Sequence, residues 1–203
     1  MRHGETEWNR TRRAQGHADV PLNDEGRAQA LEAARELADV DVAAVYSSDL
    51  SRAVDTATPI ADKHGLEIRI DPRLREIDQG EWEGVHVDEI KARWPELWGP
   101  ARHWCPRPGG ESPDEVRVRA LAALRDVVRR HPDDTVVVVG HGGTIRWVGA
   151  VALGLDQRGS ARMHGLANGG IMSVEARIDD GRLVLENLAR LDGGPTAADD
   201  PND

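Results

Sequence analysis

The 203-residue sequence contains no phenylalanine and one tyrosine, so six tryptophans supply nearly all of its aromatic bulk. Cys105 is its single cysteine. That excludes an intrachain disulfide and a thiolate metal cluster, and Cys105 reads as a spare thiol in a loop. No apolar run approaches the roughly 18 to 20 residues of a membrane span, and no apolar stretch follows a basic start. Neither an anchor nor a secretion signal is expected, and the expected location is cytoplasmic. Lysine is scarce: of 26 basic residues only Lys63 and Lys91 are lysines. The net charge of −10 argues against a nucleic-acid partner bound through a basic surface. Several chemical signatures are missing as well. There is no HExxH, no Cys/His pair at zinc spacing and no G-x-x-x-x-G-K-[ST], and GHGGT does not match GxGxxG. Metal-assisted hydrolysis and nucleotide phosphate loops therefore lack their required parts, and the residues call for no metal and no cofactor.

What is present fits one soluble domain. An apolar share of 39% and a charged share of 31% over this length suit a single α/β unit. Asn23 as N-cap, with acidic residues after it and Ala30, Leu31, Ala34, Leu37 and Ala38 at helical spacing, predicts a helix. Val42 to Ser48 reads as a buried strand, followed by a Ser/Asp-led helix from about Leu50 to His64 with Gly65 as its C-cap. Leu66 to Ile70 alternates as a strand, and a short helix is suggested near Val87 to Trp94. Ser112, Pro113 and Glu115 form a capping box that opens a long helix. Thr135 to Val139 reads as a buried strand turned into a helix by Gly140 to Gly143, and Asp180-Gly181 joins two antiparallel strands. Residues 193–203 are polar, acidic and proline-bearing and read as a disordered tail, leaving 1–192 as the domain.

Strands alternating with helices predict a mostly parallel sheet covered on both faces, a three-layer α/β/α sandwich with an antiparallel C-terminal strand. Ligands then bind at the carboxyl ends of strands. GHGGTIR follows a strand and places His141 at that edge; SSDLSR follows another and projects Arg52. By the same logic MRHGETEWNR, with Arg2, His3, Glu5 and Asn9, should follow a strand, yet only Met1 and Arg2 precede His3. The stretch is either a disordered terminus or an active-site loop whose supporting strand is missing.

RHGETEWN (2–9), QGHADVPLNDEG (15–26), SSDLSRAVDTA (47–57), REIDQGEWEG (75–84) and VVVVGHGGTIR (136–146) together resemble the histidine phosphatase superfamily, which includes the cofactor-dependent phosphoglycerate mutases. The resemblance implies that His3 is the nucleophile and forms a phosphohistidine. It implies that Arg2, Arg52 and His141 clamp the phosphoryl oxygens with Asn9 as an added donor. Glu76 would protonate the leaving alcohol and then activate water. Phosphoryl transfer spreads charge over equatorial oxygens, so two guanidiniums and an imidazolium supply what it needs without metal. His3 and His141 then require different protonation states. Glu5 has the reading of ordering the loop, and Asn168 that of stabilising the His3 loop. His17, His64, His86, His103, His131 and His164 read as exposed or substrate-rim residues. Trp82, Trp94, Trp98 and Trp104 read as pocket mouth or as packing.

The sequence EIDQGEWEGVHVDEI and the HGGT turn resemble the phosphatase branch more than the mutases. The expectation is a metal-independent phosphomonoester hydrolase acting on a small phosphorylated metabolite, with substrate choice in residues 85–111, no membrane partner and room for a homodimer. Phosphoglycerate mutase is the alternative. A non-catalytic phosphate-binding module of the same fold is another. In relatives a strand of about five residues precedes RHG. The expected sheet is therefore truncated at its first strand, and the natural protein is expected to carry residues upstream.

Overall fold

The computed structural model of the protein describes residues 1–156 and 165–190. The expected tail at 193–203 lies outside them, as does His164. Three strands, β1 (Val42–Ser47), β2 (Ile68–Ile70) and β3 (Thr135–Val139), form a parallel sheet in the order β2-β1-β3, with Val45 opposite Ile68 on one side and Val137 on the other.

The period-two alternation of these strands sorts their side chains between two layers. Val45, Val137 and Val139 meet the alanine-rich faces of α2 (Asp24–Glu36) and α3 (Ser51–His64), through Ala33, Ala34, Ala53, Ala57 and Ile60. Ala44, Tyr46, Val136 and Val138 face the opposite layer, where Ala123 and Val127 of α6 (Pro113–Arg130) pack. Ile60 is fully buried, and burying such a side chain stabilises by about 1.5–3 kcal/mol. The three-layer arrangement follows from this division.

The other α-helices among the described residues are α1 (Glu7–Arg10), α4 (Val87–Arg93), α5 (Pro95–Trp98) and α7 (Gly142–Ala152). The antiparallel pair β4 (Met172–Asp179) and β5 (Arg182–Arg190) turns at Asp180 and Gly181, both with positive φ, as a two-residue hairpin of this kind requires. No described helix is long and apolar enough to cross a membrane.

Met1 to His3 lie between the two sheets. Arg2 forms a parallel bridge with Gly140, the Met1 ammonium donates to Val138 O at 2.7 Å, and His3 N–H donates to Gly140 O at 3.0 Å. On their other side Arg2 N–H donates to Gly170 O and Gly169 N–H to His3 O. Three residues thus hold the position expected of a strand end. Next to Met1, a groove of about 630 Å³ is lined by β3, β4 and residues of α6 and α7.

Two local expectations shift. The helix after β1 is not capped by a serine or aspartate: Leu50 occupies its N-cap, and Asp19 Oδ1, from a distant loop, accepts the Ser51 N–H at 2.8 Å. β2 begins only at Ile68, because Leu66 N–H is spent closing the end of α3 on Ala61 O, past Gly65 at φ 64°. The capping box at Ser112 and Glu115 forms as the spacing requires.

Candidate active site

Each functional segment leaves the carboxyl edge of the parallel sheet. His3 follows the Arg2–Gly140 bridge, Arg52 sits in the first turn of α3 beyond β1, and His141 is the N-cap of α7 beyond β3. Gly4 permits the crossing of this loop over α2: a Cβ there would lie 2.3 Å from Gly26 O. The loop is tied further by Gly4 N–H to Thr56 Oγ1, Glu5 N–H to Gln29 Oε1, and Asn23 Nδ2 to Glu5 Oε1. Glu5 therefore orders the loop.

The His3 ring is buried, and its Nδ1 lies 2.6 Å from Gly4 O. A carbonyl only accepts, so the proton sits on Nδ1 and the lone pair on Nε2. Burial holds His3 well below the ordinary histidine pKa, with Arg52 and Arg2 adding to the effect. The His141 ring centroid is 5.0 Å away, and burial followed by Arg52 and His3 depresses its pKa in the same way. Burial thus favours the neutral form of both rings. The fixed positive charge of the cluster belongs to Arg2 and Arg52, both buried.

Arg2 and Arg52 are both fully buried. Arg2 donates to Leu166 O at 2.7 Å, and Arg52 donates to Gly16 O and Ala18 O at 2.8 Å each. Burial lowers the Arg52 pKa to about 10. Asn9 Oδ1 accepts the N–H of Thr6, the N-cap of α1, and also accepts from Asn168 Nδ2 at 3.2 Å, and Asn168 reaches His3 O as well. The reading of Asn168 as a stabiliser of the His3 loop matches these contacts. Asn9 Nδ2, Arg52 Nε and both ring nitrogens of His141 are buried here without a hydrogen-bond partner. Buried orphans of this kind are uncommon and mark a place where a ligand completes the bonding.

Glu76 is buried and accepts from Ile77 N–H at 2.8 Å and from Gly143 N–H at 3.2 Å. Burial raises its pKa above the usual carboxylate value, while these two bonds, Arg2 and Arg52 pull it back. A brace that the sequence did not signal holds its backbone. Arg119 of α6 donates to the carbonyls of Arg73, Arg75 and Glu76 at 2.9, 2.6 and 2.7 Å, and pairs with Glu111 at 2.7 Å. The ring of His17 also reaches Glu76 O at 3.0 Å. An arginine at an ordinary position of an amphipathic helix carries no local mark of such a role. Gln15 is another buried residue of the cluster without an assigned part in the sequence reading; its Oε1 accepts from Thr6 Oγ1 at 2.9 Å.

The structure thus gathers all six singled-out residues in one cluster: His3, Glu76, Arg2, Arg52 and His141 are buried and Asn9 is half-buried at its edge. Trp82 packs against Trp94 and Trp98 at about 6 Å as a small core of its own. Chemically, the cluster combines a neutral imidazole with a free lone pair, two buried guanidiniums, orphan donors and a protonatable carboxyl.

The chain is similar to several known proteins. The glucosyl-3-phosphoglycerate phosphatase of Mycolicibacterium vanbaalenii is 38% identical over 178 residues, covering 83% of this chain and 79% of the relative. Phosphoserine phosphatase 1 of Hydrogenobacter thermophilus is 38% identical over 162 residues, covering 77% and 75%. The solved structure of a mycobacterial glucosyl-3-phosphoglycerate phosphatase complexed with VO3 superposes with a TM-score of 0.84 at 30% identity, covering 96% of this chain and 97% of that one. The family model of the histidine phosphatase superfamily (branch 1) matches residues 1–189, and the chain belongs to that superfamily.

Proposed function

We propose that the protein is a phosphomonoester hydrolase that works through a phosphohistidine at His3 and acts on small phosphorylated metabolites. The observation that carries this reading is the neutral His3 ring, its Nδ1 proton pinned on Gly4 O and its Nε2 lone pair set among buried cationic and orphan donors. The phosphatases among its relatives support the hydrolase over the mutase.

In the first step the Nε2 lone pair of His3 attacks phosphorus. The ester oxygen departs with the P–O electrons and takes the proton of the Glu76 carboxyl. Arg2 and Arg52 neutralise the equatorial oxygens throughout. An incoming phosphoryl dianion supplies the counter-charge that lets His141 gain a proton, and His141 and Asn9 then donate to it. In the second step the Glu76 carboxylate takes a proton from water, the water oxygen attacks phosphorus, and the N–P bond breaks. Phosphate leaves, and His3 recovers its lone pair. The raised pKa of Glu76 suits both duties, since an acid poised nearer neutrality gives and takes its proton readily.

The test is release of phosphate from p-nitrophenyl phosphate in excess EDTA by the wild type and by His3→Ala, with rapid-quench trapping of acid-labile phosphoenzyme. Activity and trapped phosphate lost together in His3→Ala are expected. Activity that survives in His3→Ala, or that EDTA abolishes, overturns the reading. So does mutase turnover with 2,3-bisphosphoglycerate that exceeds phosphate release.

A further inference from the structure

The backbone carbonyl of Glu76 accepts two side-chain donors, the Arg119 guanidinium at 2.7 Å and the His17 ring Nε2 at 3.0 Å. A carbonyl only accepts, so a His17 proton sits on Nε2. The N–H of the same peptide unit belongs to Ile77, and it donates to the Glu76 carboxylate at 2.8 Å. His17 is thus one peptide unit away from the carboxyl and does not touch it.

The loop that carries His17 keeps the ring in place. Arg52 donates to Gly16 O and Ala18 O, the carbonyls of the residues on either side of His17. Glu83 Oε1 accepts the N–H of His17 at 2.5 Å and that of Ala18 at 3.2 Å. Gly16 has φ 56°, and a Cβ there would lie 2.4 Å from Glu83 Oε1 and 2.8 Å from Gln79 N, so no larger residue fits the turn. A chain of contacts therefore runs from Arg52 through this loop and the His17 ring to the backbone of Glu76. Arg119 braces the same carbonyl from α6 and makes no such link to the arginine pair.

We propose that His17 is a positioning residue for Glu76, holding the Glu76–Ile77 peptide so that the carboxyl stays aimed at the departing ester oxygen. The proposal rests on the hydrolase reading above for the part that Glu76 plays. Two donors on one carbonyl polarise the peptide, and a polarised peptide presents a stronger N–H to the carboxylate. A stronger donor favours the charged carboxylate and fixes its orientation. The carboxyl is also faced by the charges of Arg2, Arg52 and Arg107 and by the Gly143 N–H of α7. His17 itself faces Asp78 and Glu111, each with a carboxylate oxygen 4.0 Å from a ring nitrogen, and Asp49 beyond them. None of these carboxylates has a proton to give Glu76 O in place of the ring. The His17 side chain is 29% exposed, so exchanging it empties no core.

The test measures kcat/KM of the full chain on glycerol 3-phosphate and on p-nitrophenyl phosphate across pH. Only the alkyl ester needs its leaving oxygen protonated, so the alkyl-to-aryl ratio isolates Glu76 from His3 and His141. In His17→Leu that ratio is expected to fall about tenfold, the scale on which a small misplacement of a reacting group acts, and the pH above which it declines moves up. His17→Gln, whose amide nitrogen takes the place of ring Nε2, is expected to restore both. Carbon-13 NMR of the Glu76 carboxyl, assigned with Glu76→Gln, follows the same titration midpoint without turnover. A midpoint raised in His17→Leu alone, in a protein that releases no phosphate, would sink the hydrolase reading and keep the brace. Equal losses on both esters, an unmoved midpoint, or a His17→Gln variant no better than His17→Leu overturns the proposal.

Discussion

Glu76→Gln separates the two duties assigned to this residue. The side chain keeps its size, and its amide oxygen can still accept the Ile77 N–H now bonded at 2.8 Å. Its NH2 then faces the Gly143 N–H, so the weaker 3.2 Å bond is lost. Losing one such bond costs about 1 kcal/mol of stability, which a folded domain tolerates. Losing the proton donor removes a contribution of about 10²- to 10⁴-fold, or about 3–5 kcal/mol of barrier, so chemistry dominates over folding. The loss is selective. An alkyl phosphate needs its departing oxygen protonated, and its kcat/KM falls by that whole factor. The phenolate of p-nitrophenyl phosphate leaves unaided, so its kcat/KM falls far less, while kcat collapses because no base activates water. Stopped-flow measurement then shows a burst of nitrophenolate equal to the enzyme concentration. Equal losses of kcat/KM on both esters, with no burst, would refute the role of Glu76.

Three further expectations follow from the geometry. His3, His103 and His141 all titrate below the ordinary value in the folded chain, so below about pH 6.5 the unfolded chain binds protons that the native state refuses. Stability is therefore lost as pH falls through that range. Glu76, raised instead, opposes this as one group against three, and a Tm that is flat or rising from pH 7 to 5 would contradict the account. Gly26→Ala puts a Cβ 2.0 Å from Glu5 O, against backbone that has no room to yield. It should displace the His3 loop and lower stability by about 1–3 kcal/mol in urea titration, with activity falling alongside. Arg119→Gln removes the brace on the Glu76 backbone and leaves Glu111 without its partner; about 3 kcal/mol of stability is expected to go. Its kcat/KM should fall more on alkyl than on aryl phosphates, a split that plain destabilisation does not produce.

The sequence disclosed what depends on local spacing. The Ser112–Glu115 capping box, the valine run of β3 and the Asp180-Gly181 turn are each written within a few residues, and each formed. Arg2, His3, Arg52 and His141 were legible because strand-to-helix turns deliver side chains to one edge of a parallel sheet, whereas Glu76 and Asn9 were singled out only through the family resemblance. Contacts set by distant segments were not legible. Asp19 reaches across to Ser51, Arg119 to Glu76, and Trp82 beneath Arg107, and no spacing rule connects such pairs. The protonation of His3 and His141 belonged to the same class, since burial decides it and burial is a property of the assembled fold.

The orphan donors around His141, Arg52 and Asn9 have a consequence after the chemistry is over. Inorganic phosphate presents the same oxygens as the reacting group, so a pocket built to complete those bonds retains its product too. Interactions made equally with product and transition state do nothing for the chemical step. They set how long the site stays occupied. Escape of phosphate requires water to solvate buried guanidiniums again, a cost that falls on departure rather than on bond breaking.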